Sequence, residues 1–375
     1  MQDKFRASFT PDKKYGVYIH IPFCKSKCAY CAFVSSPDMS CKARYVADLA
    51  DEISNSPAKS GAVDTVYIGG GTPSCLTRDE ILRIFEAVYG TFNVENGAEI
   101  TVEANPESCG DDFARACVDC GVNRVSMGLQ SSDDEVLKRV GRVHCYSDFV
   151  AAAERLRSRG IKNISSDVIL GLPGQTADDI HKSAETFSKY CTHASVYALT
   201  VEEGTPLYAS GFCPDDDGIA DMYDLAVKLL CENGFSRYEV SNFAKCGMRS
   251  RHNQKYWSFE PYLAFGVAAH GFDGERLRYA HTNDVNKYIR GSSLTFTELS
   301  DKDVYNEYVM LALRTERGID TDDFASRFGV SIEQRAGSVL DSLTKSGLVV
   351  RDGKYVRISP DKMFVMNGII EELMI

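Results

Sequence analysis

The chain has 375 residues, 44% of them apolar, with 13 cysteines, one tryptophan and a formal net charge of −11. That charge argues against broad binding to nucleic acid or anionic membranes, which needs stripes of Lys and Arg, and no run of 18 apolar residues is present to span a bilayer. The polar, mixed-charge start from Met1 to Tyr15 has no apolar signal core, so a cytoplasmic location is expected, and the odd cysteine count points to free thiols or metal ligands rather than a disulfide framework.

Strand-like and helix-like segments alternate through the first 240 residues. Residues 15–21 (YGVYIHI), 64–68 (DTVYI), 99–103 (EITVE), 124–127 (RVSM), 164–170 (ISSDVIL) and 194–200 (ASVYALT) are short, rich in β-branched and aromatic residues, and mostly lead into Gly, Pro or polar residues. Helical spacing marks 77–89, 147–159, 176–190 and 216–233. Thr77 stands three residues before Glu80, as in a capping box, and Gly160 follows the second of these helices as a stop. Six strand–helix units predict a parallel sheet with right-handed crossovers, too few for a closed eight-stranded barrel. The expected fold is therefore α/β, a partial (β/α)6 TIM-like barrel whose ligands sit at the C-terminal ends of its strands.

Residues 241–299 are less regular and rich in aromatics, and form a connecting region. From 300 the pattern changes to helices at 304–315, 321–328 and 332–346, strands at 348–351 and 355–358, and a terminal helical stretch at 361–374. This predicts a small α+β, winged-helix-like domain over 300–375. Its 10 basic and 13 acidic residues disfavour DNA reading.

Directly after the first strand stands Cys24-Lys-Ser-Lys-Cys28-Ala-Tyr-Cys31. Three soft thiolates within eight residues suit an iron–sulfur cluster or zinc. A cubane cluster normally takes four cysteines, so three leave one iron open. Zinc asks for a fourth ligand, for which Cys41 and His20 are the nearby candidates; three incidental cysteines is the bland alternative. A second pair, Cys117 and Cys120, falls in an expected helix at 111–120 and reads as core, and Asp215-Asp216-Asp217 reads as a solvated helix start.

The run YIHIPFCKSKCAYC resembles the entry motif of radical S-adenosylmethionine (SAM) proteins of the oxygen-independent coproporphyrinogen oxidase type. The resemblance implies a 4Fe-4S cluster on Cys24, Cys28 and Cys31, with SAM on the fourth iron and cleaved by an electron to methionine and a 5′-deoxyadenosyl radical; a flavodoxin or ferredoxin is the kind of donor it implies. It assigns Gly70, Gly71 and Thr72 of the GGGTP turn to the methionine end of SAM. Glu103, Gln130, Arg142 and Asp167, at or beyond successive strand ends, match further SAM contacts, as do Tyr18, Tyr30 and Ala198.

Within this group the chain departs from the decarboxylase in two ways. Phe33 stands where the decarboxylase has a fourth cysteine, and only about 14 residues precede Tyr15, so parts of that enzyme's substrate site are expected to be missing. Arg251-His252-Asn253-Gln254-Lys255-Tyr256-Trp257 resembles the HNxxYW signature of the HemW heme-chaperone family, as do Ala268-Ala269-His270-Gly271 and the 300–375 module. The implied cargo is heme or another tetrapyrrole, delivered to acceptor proteins, respiratory ones by analogy. His252 is the candidate axial ligand and His270 its competitor. The alternatives are coproporphyrinogen III decarboxylation and radical chemistry on another tetrapyrrole.

Overall fold

A computed structural model of the chain describes residues 9–10, 13–56, 58 and 61–375; expectations placed on 1–8 and 11–12 lie outside the described residues. Six strands form the centre: β1 (Lys14–Ile21), β2 (Ala62–Gly70), β3 (Asn93–Ala104), β4 (Arg124–Gln130), β5 (Asn163–Leu170) and β6 (His193–Ala198). They pair in that order and in parallel. Helices α1 (Lys42–Ser54), α2 (Arg78–Thr91), α3 (Asp111–Asp119), α4 (Asp134–Arg139), α5 (Tyr146–Ser158) and α6 (Ala177–Tyr190) carry the chain back between them. This is the partial (β/α)6 barrel expected from the pattern. The Thr77 capping box is present: the Thr77 side chain accepts from the Glu80 amide, and Glu80 Oε2 accepts from the Thr77 amide at 2.8 Å.

The strands alternate with period two, which puts successive side chains on opposite faces. Val17, Ile19 and Ile21 of β1, Val66 and Ile68 of β2, and Ile100 and Val102 of β3 are buried in the apolar core that also holds Leu49, Ile81 and Val88 of the helices. The opposite, concave face is polar. There Tyr18 pairs in register with Tyr67, Thr65 with Glu99, Thr101 with Arg124, Glu103 with Ser126, and Gly128 with Asp167.

Beyond α7 (Pro206–Ala209) and α8 (Asp216–Glu232), the chain extends the sheet at both edges. β8 (Asn242–Ala244) adds antiparallel to β6, and β7 (Ser236–Arg237) pairs antiparallel with β8 at the outer edge. After α9 (Arg251–Trp257), β9 (Tyr262–Phe265) pairs parallel with β1, and β10 (His270–Phe272), β11 (Leu277–Ala280) and β12 (Thr295–Glu298) continue outward, with α10 (Val285–Ile289) between the last two. These strands are two to four residues long, too short to leave a period in the sequence, which is why 241–299 reads as irregular. The remainder, α11 (Asp301–Leu313), β13 (Ile319–Asp320), α12 (Thr321–Phe328), α13 (Ile332–Lys345), β14 (Val349–Asp352), β15 (Tyr355–Ile358) and α14 (Met366–Glu371), builds a second core around Val309, Phe324 and Leu340. Phe259 and Phe272 belong to that core too, so the C-terminal module packs on the accessory strands. Among the described residues no helix is long and apolar enough to cross a membrane.

The turn after β9 is tied to α1. Tyr45 donates to the His20 carbonyl at 2.8 Å and accepts from the Val267 amide, while the Gly266 amide donates to Glu52. Gly266 has φ +93°, and a Cβ there would lie 2.5 Å from the Tyr45 oxygen and 2.7 Å from the His20 carbonyl. Left-handed strain and overpacking together predict that Gly266→Ala loses about 2–4 kcal/mol of stability. Chemical denaturation checks this; a midpoint equal to the parent's would contradict it.

Candidate functional site

The three cysteines lie on the loop between β1 and α1, at the C-terminal end of the sheet. That loop closes on itself through a Cys24 amide bond to the Ser36 carbonyl and a Ser36 amide bond to the Pro22 carbonyl. Its flank is gripped by the Ala29 amide on the Val140 carbonyl and the Leu207 amide on the Ala29 carbonyl. His20 Nε2 meets the Val34 carbonyl at 3.1 Å and Nδ1 meets the Tyr18 hydroxyl at 3.0 Å. A carbonyl can only accept, so Nε2 carries the proton and Tyr18 donates to Nδ1.

The glycine turn is stapled to this loop. The Gly71 amide donates to the Ile21 carbonyl at 2.8 Å and the Thr72 amide to the Phe23 carbonyl at 2.7 Å. A Cβ on Gly71 would stand 2.7 Å from that Phe23 carbonyl, so the close approach requires glycine. Thr72 then points its hydroxyl at the Cys24 sulfur, 3.1 Å away. Arg142 places Nη1 3.6 Å from the Cys28 sulfur, and Nη2 donates to the Gly128 carbonyl. Tyr30 packs beside Val136, Val140 and Leu207, with its hydroxyl against Cys28 and Arg142. Burial pushes the Cys24 thiol up, with the Thr72 hydrogen bond opposing it. Among the described residues no three His, Cys, Asp or Glu side chains close on one point, the arrangement a single ion would need.

Glu103, at the end of β3, accepts from the Tyr67 hydroxyl at 2.6 Å and the Gly70 amide at 3.0 Å. Burial raises its carboxyl to about 7. Asp167 is raised in the same direction by burial, against a hydrogen bond from Ser195. Gln130 has φ +68°, at a register break between β4 and β5, and a Cβ on Gly128 would collide with both its amide and the Arg142 guanidinium. Gly128 therefore leaves room for both. Ala198, at the exposed end of β6, presents only backbone and a methyl group. Sequence reasoning missed Asn105, which bridges Thr72 and Arg142, and Arg124, a fully buried guanidinium on the concave face. The Asn-Pro step at the end of β3 was the available signal for the first.

His252 is not part of this constellation. The Arg251 and His252 amides cap α9 onto the Glu99 carboxylate, each at 2.9 Å, near the N-terminal end of the sheet. The His252 ring is fully enclosed: Nδ1 meets Thr65 Oγ1 at 2.8 Å and Nε2 meets the Tyr256 hydroxyl at 2.9 Å. Both nitrogens are committed and burial lowers its pKa to about 3. For His252 to serve as the expected axial ligand, one of these two hydrogen bonds would have to open. His270 is exposed at the start of β10 and makes no ring hydrogen bond among the described residues; partial burial holds it below the usual histidine range. Cys117 and Cys120 are buried at the α3 end, as core residues.

The pattern of residues 18–187 matches the Radical SAM superfamily, and residues 299–365 match the HemN C-terminal domain. A protein of Bacillus subtilis named heme chaperone HemW is 35% identical over 351 residues, covering 88% of this chain and 92% of its own. The Escherichia coli protein of the same name is 32% identical over 372 residues, covering 95% and 97%. A mouse protein, radical S-adenosyl methionine domain-containing protein 1, mitochondrial, is 30% identical over 383 residues, covering 96% and 87%. The crystallised coproporphyrinogen III oxidase HemN of Escherichia coli superposes with a TM-score of 0.86 over 99% of this chain and 92% of its own, at 20% identity, a likeness of fold.

The elevated Glu103 carboxyl has a pH consequence. The unfolded chain ionises it near 4.5 and the folded chain only near 7, so it stabilises below pH 4.5 and that contribution is lost as pH rises to about 7. Glu103→Gln should therefore lose less melting temperature than the parent between pH 5 and pH 8; equal losses would contradict this.

Proposed function

The chain belongs to the HemW family of radical SAM proteins, and from that premise we propose that it binds heme and passes it to acceptor proteins, respiratory ones among them. In this reading Cys24, Cys28 and Cys31 hold a 4Fe-4S cluster, and the pocket of Tyr18, Tyr30, Gly70, Gly71, Thr72, Glu103, Gln130, Arg142, Asp167 and Ala198 holds SAM. When bound, the cluster supplies an open iron for the methionine end of SAM and an electron from a flavodoxin- or ferredoxin-like donor. The protein works in the cytoplasm, with residues 1–240 as the radical SAM core, 241–299 connecting it and 300–375 as the appended module.

The donor chemistry fits the cluster. Thr72 and Arg142 aim hydrogen bonds at two of the three sulfurs. The Arg142 Nε is buried without a partner, a cation in want of negative charge that bound thiolates provide. Glu103 accepts from Gly70 and Tyr67 and has acceptor capacity left for an amine or ribose hydroxyl. The backbone turn at Gly70–Thr72 brings peptide groups close to the same end.

The observation that carries the chaperone reading over the decarboxylase is Phe33. It stands two residues after Cys31, in the place of a fourth cysteine; the residue is 71% exposed, and its carbonyl accepts from Lys27 and Ser35. For the cargo we favour His270 over His252 as the iron ligand, because His270 is exposed and its ring makes no hydrogen bond among the described residues.

Anaerobic protein loaded with iron and sulfide is expected to bind heme near 1:1 with a shifted Soret band. It is also expected to leave coproporphyrinogen III unconverted in the presence of SAM and reductant. His270→Ala should abolish the Soret shift, and His252→Ala should keep it in whatever fraction folds. Conversion of the porphyrinogen would favour the decarboxylase, an altered tetrapyrrole would favour other radical chemistry, and loss of the shift in His252→Ala alone would restore His252.

A further inference from the structure

Asn105 closes a ring of hydrogen bonds across the cysteine site. Its Nδ2 donates to Thr72 Oγ1 at 3.1 Å, and Thr72 donates on to Cys24 Sγ at 3.1 Å. Its Oδ1 accepts from Arg142 Nη2 at 3.1 Å, while Arg142 Nη1 reaches Cys28 Sγ at 3.6 Å. One amide thus links the donor on one cysteine to the donor on another.

The direction of each bond is forced. A threonine hydroxyl has one hydrogen. If it accepts from Asn105, that hydrogen is free for sulfur. A guanidinium only donates, so the amide oxygen must face Arg142, and this fixes the amide orientation at both ends. The backbone of Asn105 is equally constrained: its amide donates to Ser74 Oγ at 3.0 Å and its carbonyl accepts from the Ser108 and Cys109 amides. The preceding strand β3 and the following Pro106 hold it on a rigid stretch of chain. A carboxylate at this position would accept from both sides, drawing the Thr72 hydrogen away from Cys24. An apolar side chain would release both donors.

We infer that Asn105 is a positioning residue of the cluster site: its amide holds the Thr72 hydroxyl on Cys24 and the Arg142 guanidinium on Cys28, and so sets how strongly two of the three ligand sulfurs are hydrogen-bonded. Hydrogen bonds to ligand sulfurs stabilise the more negative, reduced cluster and raise its potential. The inference rests on the cluster reading proposed above, and goes beyond it by assigning the tuning of that cluster to a residue outside the proposed cysteine ligands and SAM pocket.

The test uses the full chain, reconstituted anaerobically, with iron and sulfide counted and the reduction potential measured by titration followed by electron paramagnetic resonance. Asn105→Leu keeps the branched shape and removes both amide bonds. Thr72→Val cuts the same chain one link further on and leaves Asn105 in place, so a folding failure of either variant leaves the other to decide. Each is expected to lower the potential so that, at a fixed poise, the reduced-to-oxidised ratio falls at least tenfold, which is about 59 mV for one electron. Asn105→Asp is expected to move it in the same direction. Potentials within twofold of the parent's ratio in both Asn105→Leu and Thr72→Val, with cluster content unchanged, overturn the inference. Failure of the unmutated chain to take up iron and sulfide overturns the cluster reading instead.

Discussion

The period-two alternation of six parallel strands is the constraint on which the molecule rests. Each strand gives its apolar residues to the helices and its polar ones to the concave face. A polar face turned inward is costly unless every group on it is partnered, and most of the specific features of this protein are ways of meeting that demand. At the N-terminal end Glu99 caps α9, and His252 fills the space left by Gly16 against Thr65. Further up, Tyr67 and the Gly70 amide satisfy Glu103, and Ser195 satisfies part of Asp167.

At the C-terminal end the same polar face runs out into loops, and there the candidate site is assembled. The cysteine loop, the glycine turn, the Asn105 step and the segment carrying Arg142 come from four different strand ends. They are joined by backbone bonds from Gly71 and Thr72 to the loop and by side-chain bonds through Asn105. The added strands β9 to β12 extend the face sideways, and Tyr45 and Glu52 of α1 tie their first turn to the helix that follows the cysteine loop. His270 sits beyond that turn, outside the barrel, at a place open to a ligand.

The fold was legible because alternation and helical spacing repeat six times, and because Thr77 with Glu80 marks a helix start that local chemistry alone determines. The cysteine loop and the glycine turn stand out in the sequence by spacing and residue type, and the structure brings them together with Arg142 at one end of the sheet. Two things were not legible. Strands of two to four residues in 236–298 leave no period. The direction a side chain takes from a short helix is set by tertiary contacts, so the HNxxYW run reads equally as a ligand site or as a plug. In this structure Glu99 and Thr65, distant in sequence, hold the run as a plug. Asn105 escaped for a related reason: a single amide has meaning only once Thr72 and Arg142 are seen on either side of it.

The proposed cluster has four irons on three cysteines, with the fourth iron open to SAM. Mössbauer spectroscopy of iron-57-reconstituted protein, before and after SAM is added, tests it most directly. The account predicts four irons per chain, one of which changes its isomer shift and quadrupole splitting on addition while the other three do not. A spectrum unaltered by SAM, or a chain that retains zinc in place of iron, would contradict it.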